Sequence, residues 1–188
     1  FGSDHLYTAK AAKGWVLDNH SGASRGAHML FYPTGQTWAS SPVIVYGKAT
    51  PVSSSPGISE FVKTVEADFH RNGSPNFKGV YKKQIFSELN ATAQLYYYSG
   101  DQWGNYEAVA YFQETETINF LVFNARTKEA FEQYLPGFEK IVKSYANLYR
   151  SPQTTPKDMQ KLLKDESDSH LVSKEGLAYE SKAVSGKG

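Results

Sequence analysis

The sequence predicts an α+β domain, an α/β/α sandwich whose central antiparallel meander sheet has five to seven strands and helices on both faces. Three observations predict it. Four strand-like segments follow one another near 79–88, 92–99, 105–114 and 117–125. The turns between them, at Leu89-Asn90, Ser99-Gly100-Asp101 and around Thr115-Glu116, are short enough to join only antiparallel neighbours. Ile58, Phe61, Val62, Val65 and Phe69 recur at helical spacing and make one apolar stripe. Ile118-Asn119-Phe120-Leu121-Val122-Phe123 is almost continuously apolar, as a strand covered on both faces must be. A doubly covered last strand needs a helix on each side of the sheet.

The remaining elements fall into place around these. Trp15-Val16-Leu17 is a short strand, and Met29-Leu30-Phe31-Tyr32 is a second, ended by Pro33-Thr34-Gly35. Residues 42–49 form a third, rich in β-branched side chains. Ser53-Ser54-Ser55-Pro56-Gly57 breaks the chain before the helix at 58–72, and Asn72-Gly73 ends that helix, Gly73 suiting a left-handed C′ position. In the segment 105–114, Glu107, Val109, Tyr111 and Gln113 alternate with Tyr106, Ala108, Ala110 and Phe112. A last apolar face runs through Ala130, Phe131, Tyr134, Leu135, Phe138, Ile141, Val142, Tyr145 and Leu148, with Pro136 inside it. Proline in a helix interior costs about 3 kcal/mol. The expectation is a helical turn at 127–134 followed by a helix from 136 to 149, the alternative being one kinked helix.

All but one of the aromatic residues precede position 151, Tyr179 being the exception. The folded domain is therefore read as 1–150. Residues 151–188 are read as an appendage with a short helix near 156–166, Thr155 its N-cap and Pro156 its first helical residue, and a mobile polar end.

Composition removes several classes of function. The chain has 188 residues, 20 basic and 19 acidic, giving a net charge of +1. The charges are scattered, so nothing points to nucleic acid or an anionic membrane surface as partner. No run approaches the ~18 apolar residues of a membrane span. With no cysteine, disulfides, thiol nucleophiles, iron–sulfur clusters and cysteine zinc sites are excluded. No cofactor is implied. The chain begins with Phe1, which fits a mature form after signal-peptide removal or a trimmed chain. The wealth of Tyr, Ser, Thr and Asn fits an exported, periplasmic or secreted protein.

Gly14-Trp15 opening a strand, an apolar strand ending in Pro33, a mid-domain amphipathic helix and a four-strand meander make a recognisable series. The closing segment Ala130-Phe131 to Phe138-Glu139-Lys140-Ile141-Val142-Lys143-Ser144-Tyr145 completes it. Over roughly 10–149 the chain resembles the PsbP-like (Mog1/PsbP) fold group. That group includes extrinsic photosystem subunits, a Ran-binding nuclear transport factor and bacterial envelope proteins of unknown role, and the envelope type is the one resembled. The resemblance implies a mostly non-catalytic binding or scaffold module and supplies no catalytic motif.

Asp18, His20 and His28 flank a Gly- and Ser-rich loop and are metal-capable. Zinc sites show tight local pairs with further ligands, whereas these histidines stand eight residues apart across a turn. The competing reading is an exposed hairpin loop with incidental histidines, favoured because no other ligand cluster supports a metal. No G-x-S-x-G elbow, phosphate loop or dinucleotide fingerprint is present. Among Tyr96, Tyr97 and Tyr98, the first and last share one strand face and Tyr97 takes the other. With Trp103 and Tyr106, Tyr97 is a candidate aromatic cluster at one sheet end. Trp38, in a polar loop, is a second binding candidate.

These readings favour a non-catalytic binding or scaffold domain of an exported cell-envelope protein acting through protein–protein contacts, with an unidentified protein partner. The rivals are a metal-dependent hydrolase using His20 and His28, and a small apolar-ligand carrier with a pocket of several hundred Å³ between sheet and helix.

Overall fold

The computed structural model describes residues 5–23, 27, 29–55 and 57–148. The expected appendage at 151–188, with its helix near 156–166, lies outside the described residues, as does His28. The strands are β1 (Tyr7–Thr8), β2 (Trp15–Asp18), β3 (Leu30–Pro33), β4 (Val43–Pro51), β5 (Lys78–Phe86), β6 (Thr92–Ser99), β7 (Tyr106–Gln113), β8 (Thr117–Ala125) and β9 (Ala146–Asn147). The helices are α1 (Ile58–Arg71) and α2 (Lys128–Lys143).

Seven strands make one antiparallel sheet in the order β2-β3-β4-β8-β7-β6-β5. The expected meander is its right half. The helix after β4 lets the chain leave the sheet and return at the far edge, so β8 closes back against β4. Period-two alternation then divides the side chains of β8 between two cores. Leu121, Phe123 and Ala125 face α2 and pack with Phe131, Phe138, Ile141 and Val142. Ile118, Phe120 and Val122 face α1 and pack with Ile58, Phe61 and Val62. The helices therefore lie on opposite faces, as a doubly covered strand demands.

The apolar stripe of α1 points inward as its spacing requires. Glu60 sits in its first turn and Arg71 in its last, charges that favour the helix dipole at both ends. Asn72 caps it and Gly73 follows at φ 95°.

The last helical segment corrects the two-piece expectation in favour of the single helix that was its alternative. It is one helix, it runs through Pro136, and it ends at Lys143 rather than 149. Thr127 caps it by accepting a bond from the Ala130 amide at 3.2 Å. Phe131 and Phe138, two turns apart on either side of the proline, are both buried, and their packing outweighs the proline's cost. Pro136 and Glu132, whose carbonyl loses its partner, both lie on the exposed side, where water can serve that carbonyl. The helix stops early because Tyr145 turns inward and stacks on Phe112 at 3.6 Å between ring centroids.

Beyond it, β9 pairs with β1 in a two-stranded sheet that the sequence did not predict. A polar network fixes this end. The Tyr145 hydroxyl donates to Glu114 Oε1 at 2.9 Å and accepts from Asn119 Nδ2 at 2.8 Å. The Thr117 hydroxyl donates to Asn119 Oδ1 at 2.9 Å, and Asn147 Nδ2 donates to the second oxygen of Glu114.

Gly137 has a particular reason to be glycine. The Trp15 indole lies across α2 at this point, edge-on to Tyr134, and a Cβ on residue 137 would run into it. Alanine is the better helix former by about 1 kcal/mol, so propensity alone makes Gly137→Ala stabilising. The expected outcome is the opposite, a loss of about 1–3 kcal/mol in urea unfolding from overpacking. Adding Trp15→Ala to that variant should remove the coupling term.

Candidate functional site

The described part of the opening loop, 18–23, has its own structural chemistry. Asp18 Oδ1 accepts the His20 amide at 2.8 Å and the Ser21 amide at 2.9 Å, while Oδ2 accepts the Tyr32 hydroxyl at 2.8 Å. Both carboxylate oxygens are thus engaged, one by the start of the loop and the other by β3. His20 is exposed. Among the described residues, no three His, Asp or Glu side chains come together as a metal-holding group.

The aromatic candidates fall on two sides of the sheet. Tyr97 and Tyr106 face α2 and both meet Phe131, at 5.2 and 6.3 Å between centroids. Trp103 stands on the other side beside Phe69, Asn72 and Gln102, 69% exposed. The structure therefore brings Tyr97 and Tyr106 together and sets Trp103 apart.

The turn that carries Trp103 is tightly built. Asp101 Oδ1 accepts the Trp103 amide at 3.2 Å and the Asn105 amide at 2.8 Å, and Oδ2 accepts Asn105 Nδ2 at 2.8 Å. Gly100, at φ 89°, lies so close to the Asn76 carbonyl that no side chain fits. Trp38 sits on a comparable turn. The Ser40 and Ser41 amides bond to the Thr37 carbonyl, the Thr37 and Ser40 hydroxyls meet at 2.8 Å, and Arg126 donates to the Ala39 carbonyl at 3.2 Å.

Between these turns lies a row of depressions on the α1 face. The outermost, about 450 Å³, lies beside Trp38 and is walled by Ile44, Asn105, Asn124 and Arg126. The middle one is a cavity of about 260 Å³ between α1 and the sheet. Tyr46, Val109, Tyr111, Phe120 and Val122 make its floor, Val65, Phe69 and Phe77 its roof, and Lys48, Tyr98 and Glu107 its sides. The third, about 190 Å³, lies under Trp103. Phe69 borders both the second and the third, and Asn124 of the first bonds to Glu107 of the second.

The middle cavity is the chemically distinctive part. Phe69, Phe77 and Tyr98 form a continuous stack at 3.8 and 5.1 Å between centroids. The Tyr98 and Tyr111 hydroxyls share a hydrogen bond of 2.8 Å. Burial raises both phenols well above their usual range. Glu107 enters this aromatic wall from β7, opposite Asn124 and Tyr98 on the neighbouring strands. Asn124 Nδ2 donates to Glu107 Oε1 at 2.7 Å. Burial pushes the Glu107 carboxyl above its ordinary value; the Asn124 bond and Lys48 pull it down, and Asp101 pushes it further up. The Lys48 ammonium stands 5.5 Å from the Tyr46 ring centroid. In the sequence, Glu107 alternates with Val109 and Tyr111 without standing out as a site residue. The signal was a carboxylate sharing a strand face with residues bound for a core.

No protein-family model matches the chain, and no curated protein sequence matches it. Solved structures with a similar arrangement do exist. The solution structure of cyanobacterial PsbP (CyanoP) from Synechocystis sp. PCC 6803 is 10% identical, covers 78% of this chain and 94% of that one, and has a TM-score of 0.45. The crystal structure of the Saccharomyces cerevisiae Ran-binding protein Mog1p is 9% identical over 74% of this chain and 89% of that one, with a TM-score of 0.46. A Pseudomonas aeruginosa protein of unknown function is 10% identical over 82% and 88%, with a TM-score of 0.39. The resemblance read from the sequence names the same fold group as the first two. Likeness at this level concerns the arrangement of the chain and carries no activity across.

The turn reading of the opening loop has a pH signature. Burial raises the Asp18 carboxyl, but its bonds from Ser21, His20 and Tyr32 prevail and hold it at about 2, below the ordinary 3.8. Its stabilising contribution is therefore present above 3.8 and lost as pH falls through about 2. In urea unfolding, the gap between wild type and Asp18→Asn should hold from neutral pH down to that ordinary value and close below it. Added zinc should leave the melting temperature unchanged. A zinc-dependent rise would instead support the metal reading.

Proposed function

We propose that this chain is a non-catalytic binding domain of an exported protein, and that it acts through protein–protein contacts made by the Trp38–Trp103 rim of the α1 face. The observation that carries this reading is the pair of tryptophans held on two rigid turns at the ends of one row of depressions. Tryptophan is enriched among the few residues that dominate binding energy, because it combines large apolar area with a hydrogen-bonding edge. Turns closed by Asp101 and by the Thr37–Ser40 pair hold the backbone still, so little ordering entropy is lost on binding. Arg126 and Asn105, beside Trp38, supply the polar rim that such interfaces carry. The exported setting is supported by the wealth of Tyr, Ser, Thr and Asn. The cavity in the middle of the row favours a second reading, a small-ligand site.

Photo-crosslinking in the cells that make the protein tests the first reading. Benzoylphenylalanine at positions 38 and 103 should yield adducts with the same partner, while position 132, on the exposed side of α2, should yield none. With that partner purified, Trp38→Ala and Trp103→Ala should each weaken binding about tenfold or more with little change in melting temperature. Adducts at position 132 as abundant as at 38 and 103 would sink the proposal. Fractionation of the same cells checks the setting: retention of the protein in the cytosol counts against export.

A further inference from the structure

We propose that the cavity between α1 and the sheet is a binding site for a small organic cation, an ammonium group carried on a flat apolar body. Its nitrogen would sit at Glu107 and its body among Phe69, Phe77, Tyr98 and Phe120. This inference deepens the small-ligand reading above; the site adjoins the Trp103 depression through Phe69, and it does not depend on the protein-contact reading.

An apolar cavity by itself selects only for size. The carboxylate changes that. Glu107 lines the cavity, and Asn124 takes one of its oxygens at 2.7 Å. Among the described residues, no hydrogen bond or ion pair from another side chain reaches it. A neutral ligand in this space would displace water from the carboxylate without replacing its interactions. A cation replaces them with a charge-assisted bond, which is about twice as strong as a neutral one. An anionic ligand would be brought against Glu107, with Asp101 close enough to act on that carboxylate and Glu66 acting on the adjoining Tyr98.

The walls add to the same preference. Ring faces attract cations, and the strongest gains come where water is excluded. The chain already shows this attraction at the cavity's edge, where the Lys48 ammonium stands over Tyr46. Lys48 is exposed, so it competes for the site from the mouth and can withdraw to solvent when a ligand enters. The volume of about 260 Å³ lies just under the range of about 300–1,000 Å³ typical of drug-sized pockets. The occupant is accordingly a small molecule with one ring.

Calorimetric titration of the full chain with 2-phenylethylamine and 2-phenylethanol tests the proposal, since the two share size and shape and differ in charge. The amine is expected to bind at least about tenfold more tightly than the alcohol. Glu107→Gln should weaken the amine by at least that factor and leave the alcohol unchanged. Lys48→Ala, at an exposed position, removes the competing ammonium and should tighten the amine. Equal affinity for amine and alcohol, no amine binding at millimolar concentration, or weaker amine binding in Lys48→Ala would each overturn the proposal. If Glu107→Gln fails to fold, the amine–alcohol comparison and Lys48→Ala decide it.

Discussion

The burial of β8 on both faces is the constraint from which the rest of this structure follows. An antiparallel strand with Leu121, Phe123 and Ala125 on one side and Ile118, Phe120 and Val122 on the other cannot border water. It must sit inside the sheet and have a helix on each side. Both conditions are met by a single chain path: β4 hands over to α1, the meander begins at the far edge, and β8 returns beside β4. The two helices cover unequally. α2 reaches across β4, β5, β7 and β8, whereas α1 lies chiefly over β5 and β7. On the α1 face, β4 therefore keeps Tyr46 half-buried and Lys48 exposed, and the space between β4 and α1 is the cavity. The candidate site is thus a consequence of how far the shorter helix extends.

That origin explains the electrostatics. Glu107 occupies a strand position whose alternation partners, Val109 and Tyr111, belong to the core. Under a complete roof, such a carboxylate would be expensive to bury and would demand a fixed cation. Under an incomplete one it needs only Asn124 and the more distant Lys48, at the cost of a raised pKa. A carboxylate kept in an aromatic wall at a net cost, where Gln would serve the Asn124 bond as well, is the kind of local inconsistency from which the cation-site proposal starts.

Much of the fold could be read from periodicity. Both cores, the strand bounds at 92–99 and 117–125, the α1 stripe and its end at Asn72-Gly73 all rest on local patterns that tertiary packing reinforces. The failures share one cause. At Pro136 and after Lys143, local preference pointed one way and long-range burial of Phe138 and Tyr145 decided otherwise. β1 and β9, two residues each, are too short to show a period. Trp38 and Trp103 were legible as large aromatics in polar loops. Which face a strand residue takes was not, because alternation assigns residues to two faces without saying which face a helix covers completely. Tyr97, Tyr106 and Glu107 could not be sorted without that knowledge.

The two ends of the sheet also differ in what they leave unsatisfied. At the end where β8 begins, Thr117, Asn119, Glu114, Tyr145 and Asn147 satisfy one another, and β1 and β9 close over them. Opening that end to a partner would expose hydrogen bonds already made, each loss leaving a buried donor or acceptor unpaired. At the opposite end, beyond Asn124, turns built from Asp101 and Thr37 carry the exposed Trp103 and the half-buried Trp38, and the cavity stops short of full cover. Apolar area is available there without breaking anything. The first end also exposes Phe86 and Leu89, but they stand beside that closed network, whereas at the second end the exposed Trp103 borders the partly covered cavity wall, and this contrast is what supports the proposed placement of a binding surface there.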